Sequence, residues 1–113
     1  MKKDNAIHFK KIELPEAVFK GILPIFFEEI SEGLEAIKLA LKENRIQDIP
    51  DFLHKMKGTA RGYGAELIGG RVELLEQAIK DNEAMDRLEE GTQLLDSAIF
   101  EAKSFAQEHF GIE

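Results

Sequence analysis

Apolar residues recur at three- and four-residue steps along most of the chain, a pattern typical of amphipathic α-helices. Strand-type alternation does not persist, and the sequence has no Asn-Gly or Asp-Gly hairpin turn. We predict a short helix over 15–23, because Pro15 suits a first turn, and a second helix over 24–44, because Pro24 must break or kink any continuation. The second helix ends near Asn44, and its apolar stripe faces a core through Ile25, Phe26, Ile30, Leu34, Ile37 and Leu41.

The rest of the chain has the same helical period. A third helix is predicted over 47–62, where Asp48 can cap the start and Pro50 is tolerable only in the first turn. Its core stripe includes Phe52 and Leu53. A turn at 62–64 separates this helix from two more, over 65–81 and 84–108.

Short connections between long amphipathic helices favour antiparallel neighbours. We therefore predict an all-α fold, an up-and-down antiparallel four-helix bundle with a short additional N-terminal helix. A chain of 113 residues is the size of one domain. We assign residues 13–113 to the bundle and residues 1–12 to a flexible N-terminal arm.

The composition argues against several classes of binding partner. The net charge is −7 and the acidic residues are spread along the chain, which argues against nucleic acid and anionic membranes as partners. No stretch is apolar enough for a signal peptide or a membrane helix. Cysteine is absent, which excludes disulfides and cysteine-based zinc sites, and the three histidines lack metal-ligand spacing. We expect a cytoplasmic protein without a metal, and nothing in the sequence demands more than a monomer.

The most informative segment of the sequence surrounds His54. At about 100° per residue, Lys57, Gly58 and Arg61 share a helix face with His54, roughly 130° from the core stripe. Neutral imidazole is a nucleophile near neutral pH. Neighbouring cations would offset the charge of a phosphoryl group on that ring. Glycine inside a helix costs about 1 kcal/mol relative to alanine, and close approach by another molecule would account for Gly58.

A second group is expected to hold the other ring nitrogen of His54 and fix its orientation. Antiparallel packing about the 62–64 turn places residues in the seventies beside residues in the low fifties. The candidates on the fourth helix are Glu76 and Gln77. Glu76 follows the core position Leu75, so it should lie at the edge of the helix interface.

The segment His54-x-x-Lys57-Gly58-Thr59-Ala60-x-x-x-Gly64-Ala65 resembles the signature of histidine phosphotransfer (HPt) domains. The segments 23–29 and 74–78 resemble the helices that precede and follow this motif in the family. Together the resemblance covers about residues 15–108. Pro50 departs from the family pattern, since that segment is usually helical, but it leaves the motif intact.

The resemblance implies a role for each matching residue. His54 would carry the phosphoryl group, and Lys57 would neutralise it. Gly58 would leave room for a docking receiver domain, and Gly64 would close the turn between the third and fourth helices. Glu76 matches a position where a polar group bonds the histidine ring. Lys55 and Arg61 lie outside the signature and are candidates for docking the partner.

The function implied is that of a phosphorelay intermediate that exchanges a phosphoryl group with the aspartates of receiver domains. The sequence has no glycine-rich nucleotide loop, so the chain would be a phosphoryl carrier without its own ATP site. It would need no cofactor, and the catalytic Mg²⁺ would belong to the receiver. Two alternatives remain: a substrate domain of a chemotaxis-type histidine kinase, and a helical adaptor that works without phosphate. The sequence leaves open whether the chain acts alone or belongs to a larger hybrid kinase.

Overall fold

A computed structural model describes residues 8–9 and 15–111 of the chain. Over residues 15–111, four α-helices follow one another: α1 (Glu16–Lys42), α2 (Ile49–Tyr63), α3 (Glu66–Lys80) and α4 (Met85–Phe110). A single 3₁₀ turn, Ile46–Asp48, precedes α2. Each helix packs against the next, and α4 packs back against α1. The predicted four-helix bundle is confirmed, and the described residues contain no strand.

The predicted break at Pro24 is wrong, because 15–23 and 24–44 form one continuous helix, α1. Pro24 is exposed, so the carbonyl of Lys20 that loses its hydrogen-bond partner lies on the same solvent-facing side and can bind water. Leu23 and Phe26 on either side of the proline are fully buried. Packing of this apolar stripe therefore keeps the helix continuous. Ile25, predicted to face the core, is 53% exposed.

The start of α2 also differs in detail from the prediction. Asp48 precedes the helix but makes no side-chain capping hydrogen bond. Its carboxylate instead accepts a hydrogen bond from Arg45 Nη1 at 2.6 Å. Pro50 lies in the first turn, as predicted. The 62–64 turn is shorter than predicted, because α2 continues through Tyr63.

Each of the four described helices is followed by a residue in the left-handed conformation, at Asn44, Gly64, Asn82 and Gly111. At the end of α2, Ala65 N–H donates to the carbonyl of Ala60 at 2.8 Å, and Gly64 N–H donates to that of Arg61 at 3.1 Å. This pair of bonds is a Schellman motif, which satisfies carbonyls at the helix end and reverses the chain. The reversal at Gly64 sets α3 antiparallel to α2.

Two residues of the expected N-terminal arm are part of the core. His8 is 1% exposed and Phe9 is 5% exposed. The Phe9 ring lies 5.7 Å from that of Phe26, and the His8 ring stacks on Phe105 at 4.8 Å. The prediction of a flexible arm is therefore wrong at residues 8–9, and the rest of 1–12 lies outside the described residues. Within the described part of the chain, no helix combines the length and apolarity needed to cross a membrane.

Candidate functional site

His54 lies on the outer face of α2. Its neighbours Leu53, Met56 and Ala60 are buried in the bundle core, whereas His54 itself is exposed. The helical period places the imidazole on the opposite side from this apolar stripe. The predicted outward orientation of His54 is confirmed.

The surroundings of the imidazole are open. Among the described residues, none forms a hydrogen bond or an ion pair with the His54 side chain. Gly58, one turn further along α2, is also exposed, and a Cβ added there would have no neighbouring atom within 4 Å. Packing within the bundle therefore does not require glycine at position 58. The helix surface one turn from His54 is therefore open to another molecule.

Lys57 borders the same face, on the side toward α3. Its ammonium donates a hydrogen bond to Glu76 Oε1 at 2.9 Å. The two side chains are 24% and 20% exposed, so the ion pair is partly shielded from water. The register argument thus placed Glu76 correctly at the α2–α3 interface, but its carboxylate contacts Lys57 and not the imidazole. Gln77, the other candidate, donates to Asp81 Oδ1 at 3.0 Å.

A second ion pair joins the same two helices. Arg61 Nη2 donates to Glu73 Oε2, and both side chains are largely exposed, at 66% and 50%. The sequence interpretation did not single out Glu73. The signal was available, because in antiparallel helices a step forward along one helix matches a step back along the other, and Glu73 stands three residues before Glu76.

The helix carrying His54 differs in charge from the rest of the bundle. It contains the basic residues Lys55, Lys57 and Arg61 against one acidic residue, Asp51. Each of the other three described helices carries more acidic than basic residues. Lys55 is exposed, so it adds to this charge at the surface. The helix thus has three basic residues against one acidic residue, and two of those three cations are paired with Glu76 and Glu73 of α3.

Gly64 positions the site through the backbone. Its φ of 70° lies in the left-handed region, which glycine adopts without steric cost. The Schellman turn that it completes brings Glu73 and Glu76 of α3 alongside the basic residues of α2. The structure thus gives Gly64 the turn position expected from the motif.

The other two histidines lie apart from this arrangement. His8 and His109 both stack on Phe105, with ring centroids 4.8 and 4.3 Å away. They belong to the packing between the N-terminal segment and α4. Within the described ranges, no group of three or more His, Asp or Glu side chains is arranged to hold a metal ion.

Comparisons with known proteins agree with the fold and the motif. The family model of the Hpt domain matches residues 21–104, which covers all of α2 and α3 and most of α1 and α4. No curated protein and no solved structure matches the chain. The match spans most of the sequence, so the chain belongs to the Hpt domain family, the phosphotransfer domains of two-component signalling.

Proposed function

We propose that this protein is a phosphorelay carrier that accepts a phosphoryl group on His54 from the aspartyl phosphate of one receiver domain and donates it to another. The observation that carries the proposal is the position of His54. It is exposed on α2, one turn before the open position Gly58, and Lys57 lies on the same helix face. No other histidine among the described residues has both an exposed ring and a flanking cation on its own helix face.

The transfer step needs only a nucleophile and a docking surface from this chain. The lone pair of an unprotonated imidazole nitrogen attacks phosphorus, and the bond between phosphorus and the aspartyl oxygen breaks. The aspartate leaves with that electron pair as a carboxylate. Donation to a second receiver is the same step in reverse, with the ring nitrogen as leaving group. Mg²⁺ bound to the receiver would supply charge neutralisation on the other side of the phosphoryl group.

The charged side chains around His54 suit this exchange. Lys57 and Arg61 can form charge-assisted hydrogen bonds with phosphoryl oxygens. Lys55, Gly58 and Arg61 form the surface on which the receiver would dock. Phosphoryl exchange of this kind belongs in the cytoplasm, where receiver domains and kinases meet.

The proposal is tested by transfer from a phosphorylated receiver domain to the wild type, to His54→Gln and to His109→Gln. We expect an acid-labile, base-stable label on the wild type and on His109→Gln, and none on His54→Gln. His109 is the matched control because it is the other exposed histidine of the described chain.

Equal labelling of His54→Gln would refute His54 as the carrier residue. Labelling by a histidine kinase and ATP, with no transfer from any receiver, would instead favour the kinase-substrate function. Absence of label with both donors would favour an adaptor that works without phosphate.

A further inference from the structure

Lys57, the cation one turn from His54 on the same helix face, already has a carboxylate partner in the unphosphorylated protein. Its ammonium lies 2.9 Å from Glu76 Oε1. Both groups are at least three-quarters buried, whereas the Arg61–Glu73 pair is half exposed or more. Shielding from water strengthens the attraction between opposite charges. The Lys57–Glu76 pair is therefore the stronger electrostatic link between α2 and α3.

The backbone that carries the Glu76 carboxylate is packed against a neighbouring helix. Leu75, next to Glu76, is 2% exposed. A Cβ added to Gly91 of α4 would lie 3.0 Å from Leu75 Cδ1, which shows how closely α3 and α4 approach behind Glu76. The α3 backbone that carries Glu76 is therefore packed against α4 through Leu75.

A phosphoryl group on His54 would place a second anion within reach of the same ammonium. Three residues along a helix correspond to a rise of about 4.5 Å and to neighbouring positions on its surface. Lys57 can thus donate toward α3 or toward His54. In either arrangement the Glu76 charge reduces the benefit of Lys57 to the phosphoryl group, by holding the ammonium or by repelling the new anion.

We propose that Glu76 is a positioning residue that competes with the phosphoryl group for Lys57 and so keeps phospho-His54 easy to discharge. This inference rests on the proposed function, and it assigns Glu76 a role through Lys57 in place of a bond to the imidazole. The exchange breaks no covalent bond. The ammonium changes partners as the phosphoryl group arrives and returns to Glu76 as it leaves.

The test uses proteins loaded chemically with phosphoramidate, so it requires no receiver domain. All variants carry His109→Gln, which leaves His54 as the exposed histidine of the described chain, and ³¹P NMR follows the phosphohistidine signal against pH. Glu76→Gln should move the titration midpoint down by about 0.2 to 0.7 pH unit, because removing a negative charge disfavours protonation. Lys57→Met should move the midpoint up.

The decisive comparison is Glu76→Gln in the Lys57→Met background. If Glu76 acts through Lys57, Glu76→Gln should shift the titration midpoint in that background by less than half of the shift that it causes when Lys57 is present. Glu73→Gln is the matched control, since it removes the same charge from the neighbouring ion pair. It should move the midpoint by less than half as much as Glu76→Gln, because that pair is half exposed or more and Arg61 lies about two turns from His54 along α2.

Three results would overturn the inference: no shift with Glu76→Gln, a shift of equal size with and without Lys57, or no phosphohistidine signal from His54. The first two would leave the proposed function intact, because transfer from a receiver to His54 is measured separately. Circular dichroism of each variant would show that the helical fold is unchanged.

Discussion

Gly33 of α1 and Met56 of α2 lie against each other where the two helices meet. A Cβ on Gly33 would lie 2.7 Å from Met56 Cγ and 2.8 Å from Met56 Sδ. Met56 is 3% exposed, and a closely packed interior gives its side chain little room to move aside. Because Gly33 has no side chain, α2 can pack closely against α1, and this packing leaves His54 on the outer face of α2.

We expect Gly33→Ala to lower the free energy of unfolding, by up to about 2 kcal/mol. Overpacking a core destabilises a protein by about 1–3 kcal/mol, and the higher helix propensity of alanine offsets only about 1 kcal/mol of that loss. Urea denaturation measures the change. Gly70→Ala is the control, because a Cβ there meets nothing within 4 Å, and it should stabilise the protein. Equal stabilisation by both substitutions would contradict close packing at Gly33.

Gly64 should tolerate asparagine better than alanine. Its φ of 70° costs a residue with a Cβ about 1–2 kcal/mol, while asparagine is the other residue that adopts this region readily. The chain itself places Asn44 and Asn82 in the same conformation. Urea unfolding should therefore show a loss of about 1 kcal/mol or more for Gly64→Ala and a smaller loss for Gly64→Asn. A larger loss with asparagine would mean that something other than φ selects glycine here.

Local patterns were sufficient to predict most of the fold. The helical period and the stop signal at Asn44 predicted the helix ends closely, because these are properties of neighbouring residues. The error at Pro24 has a tertiary cause. The burial of Leu23 and Phe26 overrides the local cost of proline, and that burial depends on helices distant in sequence.

The sequence predicted the backbone positions of the site residues, but not every contact of their side chains. The motif and the helix period placed His54 outward and Glu76 at the α2–α3 interface, both of which follow from backbone register. The partner of Glu76 depended on side-chain reach. The long Lys57 side chain spans the groove to α3, and register alone does not distinguish it from the imidazole. The burial of His8 and Phe9 was missed because it depends on contacts with distant aromatic rings, among them Phe105.

Alkaline pH should destabilise the protein through Tyr63. Burial, and secondarily the charge of Glu29, raises the pKa of its phenol. The folded state therefore holds the phenolic proton more tightly than the unfolded state. The stability contributed by this group is fully present below the ordinary tyrosine pKa of about 10, and it is lost as pH rises through the higher pKa of the folded state.

The measurement is the free energy of unfolding against pH for the wild type and Tyr63→Phe. Tyr63 is the only tyrosine of the chain, so its phenolate absorbance reports the ionisation directly. Above pH about 10, the wild type should lose stability more steeply than the variant. Parallel profiles, or an unshifted absorbance midpoint, would show that Tyr63 does not contribute.

Gly58 should separate stability from function. A Cβ at this position meets no atom of the described chain within 4 Å, so Gly58→Ala should raise the free energy of unfolding by about 1 kcal/mol through helix propensity alone.

If the receiver docks at Gly58, any side chain there displaces the receiver's aspartate from His54. Gly58→Leu should then slow phosphoryl transfer by about tenfold or more, since small misplacements of reacting groups cost large factors in rate. Gly21→Ala, at an equally open helical position of α1, should give a similar stabilisation with unchanged transfer. A Gly58→Leu protein that transfers at the wild-type rate would place the docking surface elsewhere on the bundle.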